Sequence, residues 1–235
     1  MSEARPRGGA QIIPRPDQWR PGPEAPWVDQ DPGTADLGLD RIRSVFAGRS
    51  GAPSPVELDG ARRSAVLAAF FEIDARTQVL LTRRTWDVRT HRGEVSFPGG
   101  GEEPGDGHPV ATALREAHEE VALDPSTVEV VGELDHLSTV SSDRFIVPIV
   151  GILAGPPRGL VPQPSEVDAI LEVPVADLLG PGVHREERWG PTQIDHPVHF
   201  FEIEGDTIWG ATAAMLRQFL LLMLSLEPSG YWPRR

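Results

Sequence analysis

The chain has 235 residues, which is within the usual size of a single domain and is long enough to bury a core. Its formal net charge of −13 and pI near 4.9 argue against nucleic acid or an anionic membrane surface as a partner, because both attract concentrated positive charge. The chain has no cysteine, which excludes disulfides and thiolate metal sites, so a metal would need oxygen ligands.

The first 36 residues are rich in proline, glycine and charge and show no sustained apolar period. We predict a flexible tail over residues 1–36 and one domain over residues 37–235, with Trp19 and Trp27 leaving a docked tail as the alternative. The N-terminus lacks an apolar signal region, and the apolar run FLLLMLSL is too short to span a bilayer. We therefore expect a soluble, cytoplasmic protein.

The first half of the domain predicts a helix, a hairpin, a loop and a second helix. DRIRSVFA has the apolar spacing of a short helix, and SAVLAAFFEI and QVLLTRR flank the turn DART as two strands. The stretch SFPGGGEEPGDGHP predicts a loop without regular structure, and Pro109 suits the first turn of a helix. Apolar or small residues at steps of three and four continue that helix from Val110 to Val121.

The second half of the domain predicts mainly strands. VEVVGELDHL, FIVPIVGIL and AILEVPV each favour one strand, VHFFEIEGDTIWG favours two, and ATAAMLRQFLLLMLSLE favours a closing helix. This order predicts an α/β fold, with helices packed on two faces of a mixed β-sheet.

Three glutamates share one face of the helix that begins near Pro109. At about 100° per residue, Glu116 and Glu120 lie about 40° apart and Glu119 falls on the same side. Such clustering is unfavourable near a helix C-terminus, and Arg115 offsets only part of it by pairing with Glu119. A divalent cation would satisfy the rest, although an isolated REAHEE is more often a solvated helix face.

Two segments carry a family resemblance. The span GGGEEPGDGHPVATALREAHEEVAL resembles the Nudix box, a loop–helix–loop motif. Upstream, LLTRRTWDVRTHRGEVSFPGG is similar to the segment typical of the coenzyme A pyrophosphatase branch of that family. With SEVDAILEVPVADLL and IWGATAAML, the resemblance extends over roughly residues 40 to 225.

The resemblance implies a Nudix-type α/β/α sandwich that depends on Mg²⁺ or Mn²⁺ and hydrolyses a small-molecule diphosphate substrate. In this branch the substrate is coenzyme A or a derivative, and the products are 3′,5′-ADP and a 4′-phosphopantetheine product. By position, Glu116 and Glu120 would be the principal metal ligands. Glu119 would be a further ligand or water activator, and Arg115 the partner that orients them.

Other candidate residues each have an alternative reading. Arg83, Arg89 and His91 would bind substrate phosphates, or else lie in solvent or in ion pairs. Gly99 and Gly100 would let the backbone approach phosphates closely, or else form an ordinary turn. Glu166 would be a distant metal carboxylate or general base, or else a surface glutamate.

The sequence departs from the motif at three positions. Ala122 stands where the family has glycine, which costs about 1 kcal/mol in the left-handed conformation or forces a different exit from the helix. Gly107 stands where the general box has glutamate, with Asp106 beside it as in the coenzyme A branch. Gly101 stands where members of the branch often have lysine.

Other functions remain open at this point. The substrate could instead be ADP-ribose, NADH or another nucleoside diphosphate derivative. The chain could also be a catalytically silent nucleotide sensor, which the intact glutamates disfavour. A homodimer is compatible with the sequence.

Overall fold

The computed structural model describes residues 7–52, 60–87, 91–139, 143–192 and 195–226. The helices are α1 Leu39–Phe46, α2 Pro109–Val121 and α3 Gly210–Met223. The strands are β1 Trp19–Pro21, β2 Arg62–Ile73, β3 Arg76–Arg84, β4 Val95–Ser96, β5 Gly99–Gly101, β6 Val128–Glu133, β7 Leu137–Thr139, β8 Arg144–Leu153, β9 Val167–Pro174, β10 His184–Trp189, β11 His196–Ile203 and β12 Asp206–Trp209. No helix of the described residues is long and apolar enough to cross a membrane.

The larger sheet is mixed, as predicted. Its strands follow the order β4-β3-β2-β8-β6, while β5 pairs with β2, β7 with β8 and β9 with β3. β2 and β8 run parallel, and the neighbouring pairs run antiparallel. The predicted hairpin between β2 and β3 is confirmed, and it turns at Asp74 and Ala75, both with positive φ.

Helices cover both faces of this sheet, which explains why β2 is apolar along most of its length. On one face, Leu67 and Phe71 pack against Ala113 and Ala117 of α2. On the other, alternate residues of β2 pack against α1 and α3, and Phe70 stacks on Phe219 with ring centroids 4.3 Å apart. A strand buried on both faces loses the apolar–polar alternation of a half-exposed one. The predicted α/β/α arrangement is therefore confirmed.

A second, antiparallel sheet has the order β1-β10-β11-β12 and holds the N-terminal segment. β1 adds to the edge of β10, and Trp27 is 1% exposed and stacks with Phe201. These contacts support the docked alternative at Trp19–Pro21, which pair with β10, and at Trp27, whose side chain is buried. The division into a tail and a domain stays a prediction. Residues 1–6 lie outside the described residues.

Several short strands are missing from the sequence prediction. β10 reads HREERW, whose charged residues hide any apolar period. The loop expected between β3 and α2 contains β4 and β5, which corrects the prediction that it holds no regular element. β5 consists of three glycines that lie against β2, where a Cβ on Gly99 would be 2.5 Å from the carbonyl oxygen of Ala65. Glycine is required at position 99 because only a residue without a side chain fits there.

Candidate active site

Helix α2 presents the glutamates because its opposite face is buried. Ala113, Ala117 and Val121 are fully buried against the large sheet. The helix starts at Pro109 as predicted, and Nδ1 of His108 accepts a hydrogen bond from the backbone N–H of Ala111. At its C-terminus, Ala122 takes the left-handed conformation with φ 55° and ψ 29°, so the chain leaves the helix as it would with glycine.

Arg115 is the centre of a hydrogen-bond network that orients the acidic face. Its guanidinium donates to both oxygens of Asp106 at 2.9 and 3.1 Å, to the carbonyl of Gly101 at 2.9 Å, to Glu116 at 3.1 Å and to Glu119 at 3.0 Å. Asp106 also accepts hydrogen bonds from Thr112 and from a backbone N–H. The hydrogen bonds from Arg115 hold the pKa of Asp106 well below its usual range. Asp106, in place of the missing glutamate at position 107, therefore fixes Arg115 as a charged donor.

The glycines of β5 touch the carboxylates of α2. The backbone N–H of Gly99 donates to Oε2 of Glu120 at 3.2 Å, and a Cβ on Gly100 would lie 2.4 Å from Oε1 of Glu116. Glu120 is only 8% exposed, and this burial raises its pKa to about 7, with the charges of Glu116 and Glu166 acting in the same direction. Burial also raises the pKa of Glu116, while Arg115 opposes that rise.

A loop from outside the helix brings Glu166 to the same site. The backbone N–H groups of Val161 and Gln163 donate to the carbonyls of Val121 and Glu120 at 3.0 and 2.8 Å. Both carbonyls belong to the last turn of α2, where C=O groups have no hydrogen-bond partner within the helix. The helix end thus holds the loop, and the loop delivers Glu166 to the glutamates.

Four carboxylates line one cavity. Its volume is about 240 Å³, and its lining is Glu116, Glu119, Glu120, Gln163, Ser165 and Glu166. Within the described part of the chain, no three acidic or histidine side chains already enclose a point where a metal ion would sit. Magnesium, however, commonly takes only one or two protein carboxylates and completes its octahedron with water and substrate phosphates. An open cavity lined by several carboxylate oxygens fits such an ion.

The family model of the NUDIX domain matches residues 61–193 of this chain. The chain belongs to the Nudix family. An uncharacterized Nudix hydrolase NudL of Photorhabdus laumondii is 36% identical over 71% of this chain and 88% of its own length. A second NudL, of an Enterobacter species, is 35% identical over 83% of this chain and 99% of its own length, and Nudix hydrolase 22 of Arabidopsis thaliana is 41% identical over 72% and 57%.

As a Nudix hydrolase, the chain acts on nucleoside diphosphate derivatives, and enzymes of this family generally use divalent metal ions such as Mg²⁺ or Mn²⁺. The donors available for such an ion are the carboxylates of Glu116, Glu119, Glu120 and Glu166. Gly99 of β5 donates to Glu120 and Arg115 donates to the half-buried Glu116, whereas Glu119 accepts from Arg115 and is more than half exposed. The site therefore combines two fixed carboxylates with two that face open solvent.

The predicted substrate-binding side chains lie in different surroundings. Arg83 donates to Asp168 at 2.8 Å and to both oxygens of Asp206, so carboxylates already hold its guanidinium. His91 is exposed and pairs with Glu94. Arg89 lies outside the described residues. The phosphate-binding role of these three residues stays a prediction.

Three site residues were not selected from the sequence. Arg84 lies 3.9 Å from Glu166, and its charge opposes the rise in the pKa of Glu120. Gln163 and Ser165 line the glutamate cavity. The alternation of side chains along a strand could have indicated that Arg83 and Arg84 face different surroundings, because neighbouring residues of β3 point to opposite faces of the sheet. No sequence signal marks Gln163 or Ser165, which lie in a polar loop.

Proposed function

We propose that this Nudix hydrolase cuts the diphosphate bond of coenzyme A or a derivative, giving 3′,5′-ADP and a 4′-phosphopantetheine product. The observation that carries the proposal is the contact between the two motifs. The segment that resembles the coenzyme A branch ends in Gly99 and Gly100, which lie against Glu120 and Glu116 of the box. Its beginning lies on β3, where Arg84 approaches Glu166. Residues of the upstream segment therefore contact carboxylates that line the cavity of the box, which supports a shared role in binding one substrate.

The residues around the cavity divide into proposed metal ligands and a positioning residue. Glu116 and Glu120 would hold the metal, because both carboxylates lie against β5, where Gly99 donates to Glu120 and Gly100 faces Glu116. Arg115 acts as a positioning residue, since its contacts are to Asp106, Gly101 and glutamates of its own helix. When bound, the metal would withdraw charge from the diphosphate oxygens and favour ionisation of water.

Hydrolysis transfers one proton from water to the protein. The water oxygen bonds to one phosphorus, the bridging P–O bond breaks, and the second phosphate leaves with the bridging oxygen. Glu119 and Glu166 are the carboxylates we propose as acceptors of the water proton, because both line the cavity and remain substantially exposed. Loss of the general base should remove the fall of kcat/KM at low pH. Measuring kcat/KM against pH for Glu119→Gln and Glu166→Gln would show which variant loses that fall.

A substrate panel tests the proposal. Coenzyme A, acetyl-coenzyme A, ADP-ribose and NADH are incubated with the full chain and Mn²⁺, and kcat/KM is compared. We expect the coenzyme A compounds to be preferred and 3′,5′-ADP to appear by chromatography. Preference for ADP-ribose or NADH would replace the proposed substrate, and binding without turnover of any compound would favour the sensor function. Glu120→Gln serves as the folded, metal-site control and should lose most turnover.

A further inference from the structure

A second cavity lies beside the end of β5, and it is lined by arginines instead of glutamates. Its volume is about 470 Å³, and Arg62, Arg63 and Arg144 line it together with residues 101–104. Arg62 and Arg63 begin β2, and Arg144 begins the parallel strand β8, where Arg62 and Arg144 are paired in register. The parallel pairing therefore brings arginines from distant parts of the sequence to one edge of the sheet.

These arginines retain charge that is available to a ligand. Within the described residues, neither Arg62 nor Arg144 forms an ion pair with a carboxylate, and Nη1 of Arg144 donates to the hydroxyl of Ser64 at 2.7 Å. Arg63 pairs with Glu102 at 3.0 Å, and Glu103 also lines the cavity. Among the residues that the structure describes, these two guanidinium groups have no carboxylate partner, although the chain has a net charge of −13 and carboxylates are in excess.

The arginine cavity adjoins the site of hydrolysis through Gly101. The carbonyl of Gly101 accepts a hydrogen bond from Nη2 of Arg115 at 2.9 Å, and the same nitrogen donates to Glu116 at 3.1 Å. Gly101 also lines the arginine cavity, and Gly100, one residue earlier in the strand, faces Glu116. Side chains at successive strand positions point to opposite faces, so Gly100 meets the glutamates and Gly101 meets Arg144 from the two sides of β5. Among the described strands β5 pairs only with β2, so a substrate that passes its free edge can have its diphosphate at the glutamates and a neighbouring group among the arginines.

Arg144 occupies the direction in which a side chain at position 101 would point. A Cβ on Gly101 would lie 3.8 Å from Nη1 of Arg144, and no other heavy atom of the described residues outside its chain neighbours would come within 4 Å. A cation carried by residue 101 and the guanidinium of Arg144 would therefore present positive charge to the same region.

We propose that Arg62 and Arg144 bind a phosphomonoester on the ribose of the diphosphate substrate, such as the 3′-phosphate of coenzyme A. This inference rests on the proposed function and names the part of the substrate that its selectivity requires. A phosphomonoester is close to a dianion at neutral pH, and the planar guanidinium binds its oxygens in a bidentate manner. Discrimination then comes from charge at Arg62 and Arg144, separately from the metal-binding glutamates.

The test compares coenzyme A with 3′-dephospho-coenzyme A, which differs only in that phosphate. Arg144→Gln and Arg62→Gln should each lower the ratio of the two kcat/KM values about tenfold, since a charge-assisted hydrogen bond is lost. Arg76→Gln is the matched control, because Arg76 is an exposed arginine at the other end of the β2–β3 hairpin and pairs with Asp177. Gly101→Lys combined with Arg144→Gln should restore much of the ratio.

The outcomes separate this inference from the proposed function. An equal loss of kcat/KM for both substrates in Arg144→Gln would overturn the subsite, even if coenzyme A is the substrate. If the wild-type chain hydrolyses neither compound, the proposed function fails and the subsite is judged by calorimetry with 3′,5′-ADP and 5′-AMP. About tenfold tighter binding of 3′,5′-ADP that is lost in Arg144→Gln supports it, whereas equal affinities refute it.

Discussion

Replacing Glu120 with glutamine should stabilise the metal-free protein at neutral pH while abolishing most of its activity. Glu120 is 8% exposed, and its pKa rises from an ordinary value of 4.5 to about 7, chiefly because burial disfavours the charged carboxylate. Glutamine has the same shape without the charge, and its Oε1 can still accept the N–H of Gly99. The substitution therefore removes a buried charge and keeps the local hydrogen bond.

The magnitude follows from the linkage between protonation and folding. Native Glu120 binds its proton more tightly than unfolded Glu120, so its contribution to stability is complete below pH 4.5 and is lost as the pH rises through about 7. At about 1.4 kcal/mol per pKa unit, the loss amounts to about 3 kcal/mol. At pH 8 and without metal, Glu120→Gln should be more stable than the wild type by up to that amount.

Urea denaturation followed by tryptophan fluorescence in EDTA, from pH 4.5 to 8, measures this difference. Groups that titrate in both proteins and do not interact with Glu120, such as His184 and His199, largely cancel when the two curves are subtracted. Saturating Mg²⁺ should reduce the advantage of the variant, because the ion binds the native wild type and stabilises it. The reasoning is refuted if the variant is less stable at pH 8 in EDTA, or if the difference between the curves does not change with pH.

Three further substitutions test the surroundings of the site. Gly100→Ala should displace the carboxylate of Glu116, whose Oε1 would lie 2.4 Å from the new Cβ, and lower kcat about a hundredfold, whereas Gly105→Ala, with open space around it, should leave kcat unchanged. Ala122→Gly should raise the free energy of unfolding by about 1 kcal/mol in urea denaturation, because φ is 55° there. Trp27→Ala should lower that free energy by about 3–5 kcal/mol, because the ring is buried between the N-terminal segment and β11, and an unchanged midpoint would contradict the docking.

The elements that sequence analysis predicted well are those with a strong local pattern. α2 was predicted from Pro109 to Val121 and spans those residues, because its buried face repeats at the helical period and proline fixes its start. The carboxylate face followed from the same spacing, so Glu116 and Glu120 were placed together without knowledge of the sheet. β10 and the N-terminal strand could not be found in this way, because each is stabilised by pairing with a distant partner and not by its own composition.

The arginines of β3 show why part of the site could not be predicted from the sequence. Alternation along the strand states that Arg83 and Arg84 point to opposite faces, but it does not state which face meets the glutamates. That choice depends on the loop held by the end of α2, which places Glu166 next to Arg84 and leaves Arg83 to Asp168 and Asp206. The motif resemblance favoured Arg83, whereas the observed contacts place the charge of Arg84 beside the carboxylates of the cavity. The same logic applies to Arg144, which lies near Gly101 because β2 pairs with both β5 and β8.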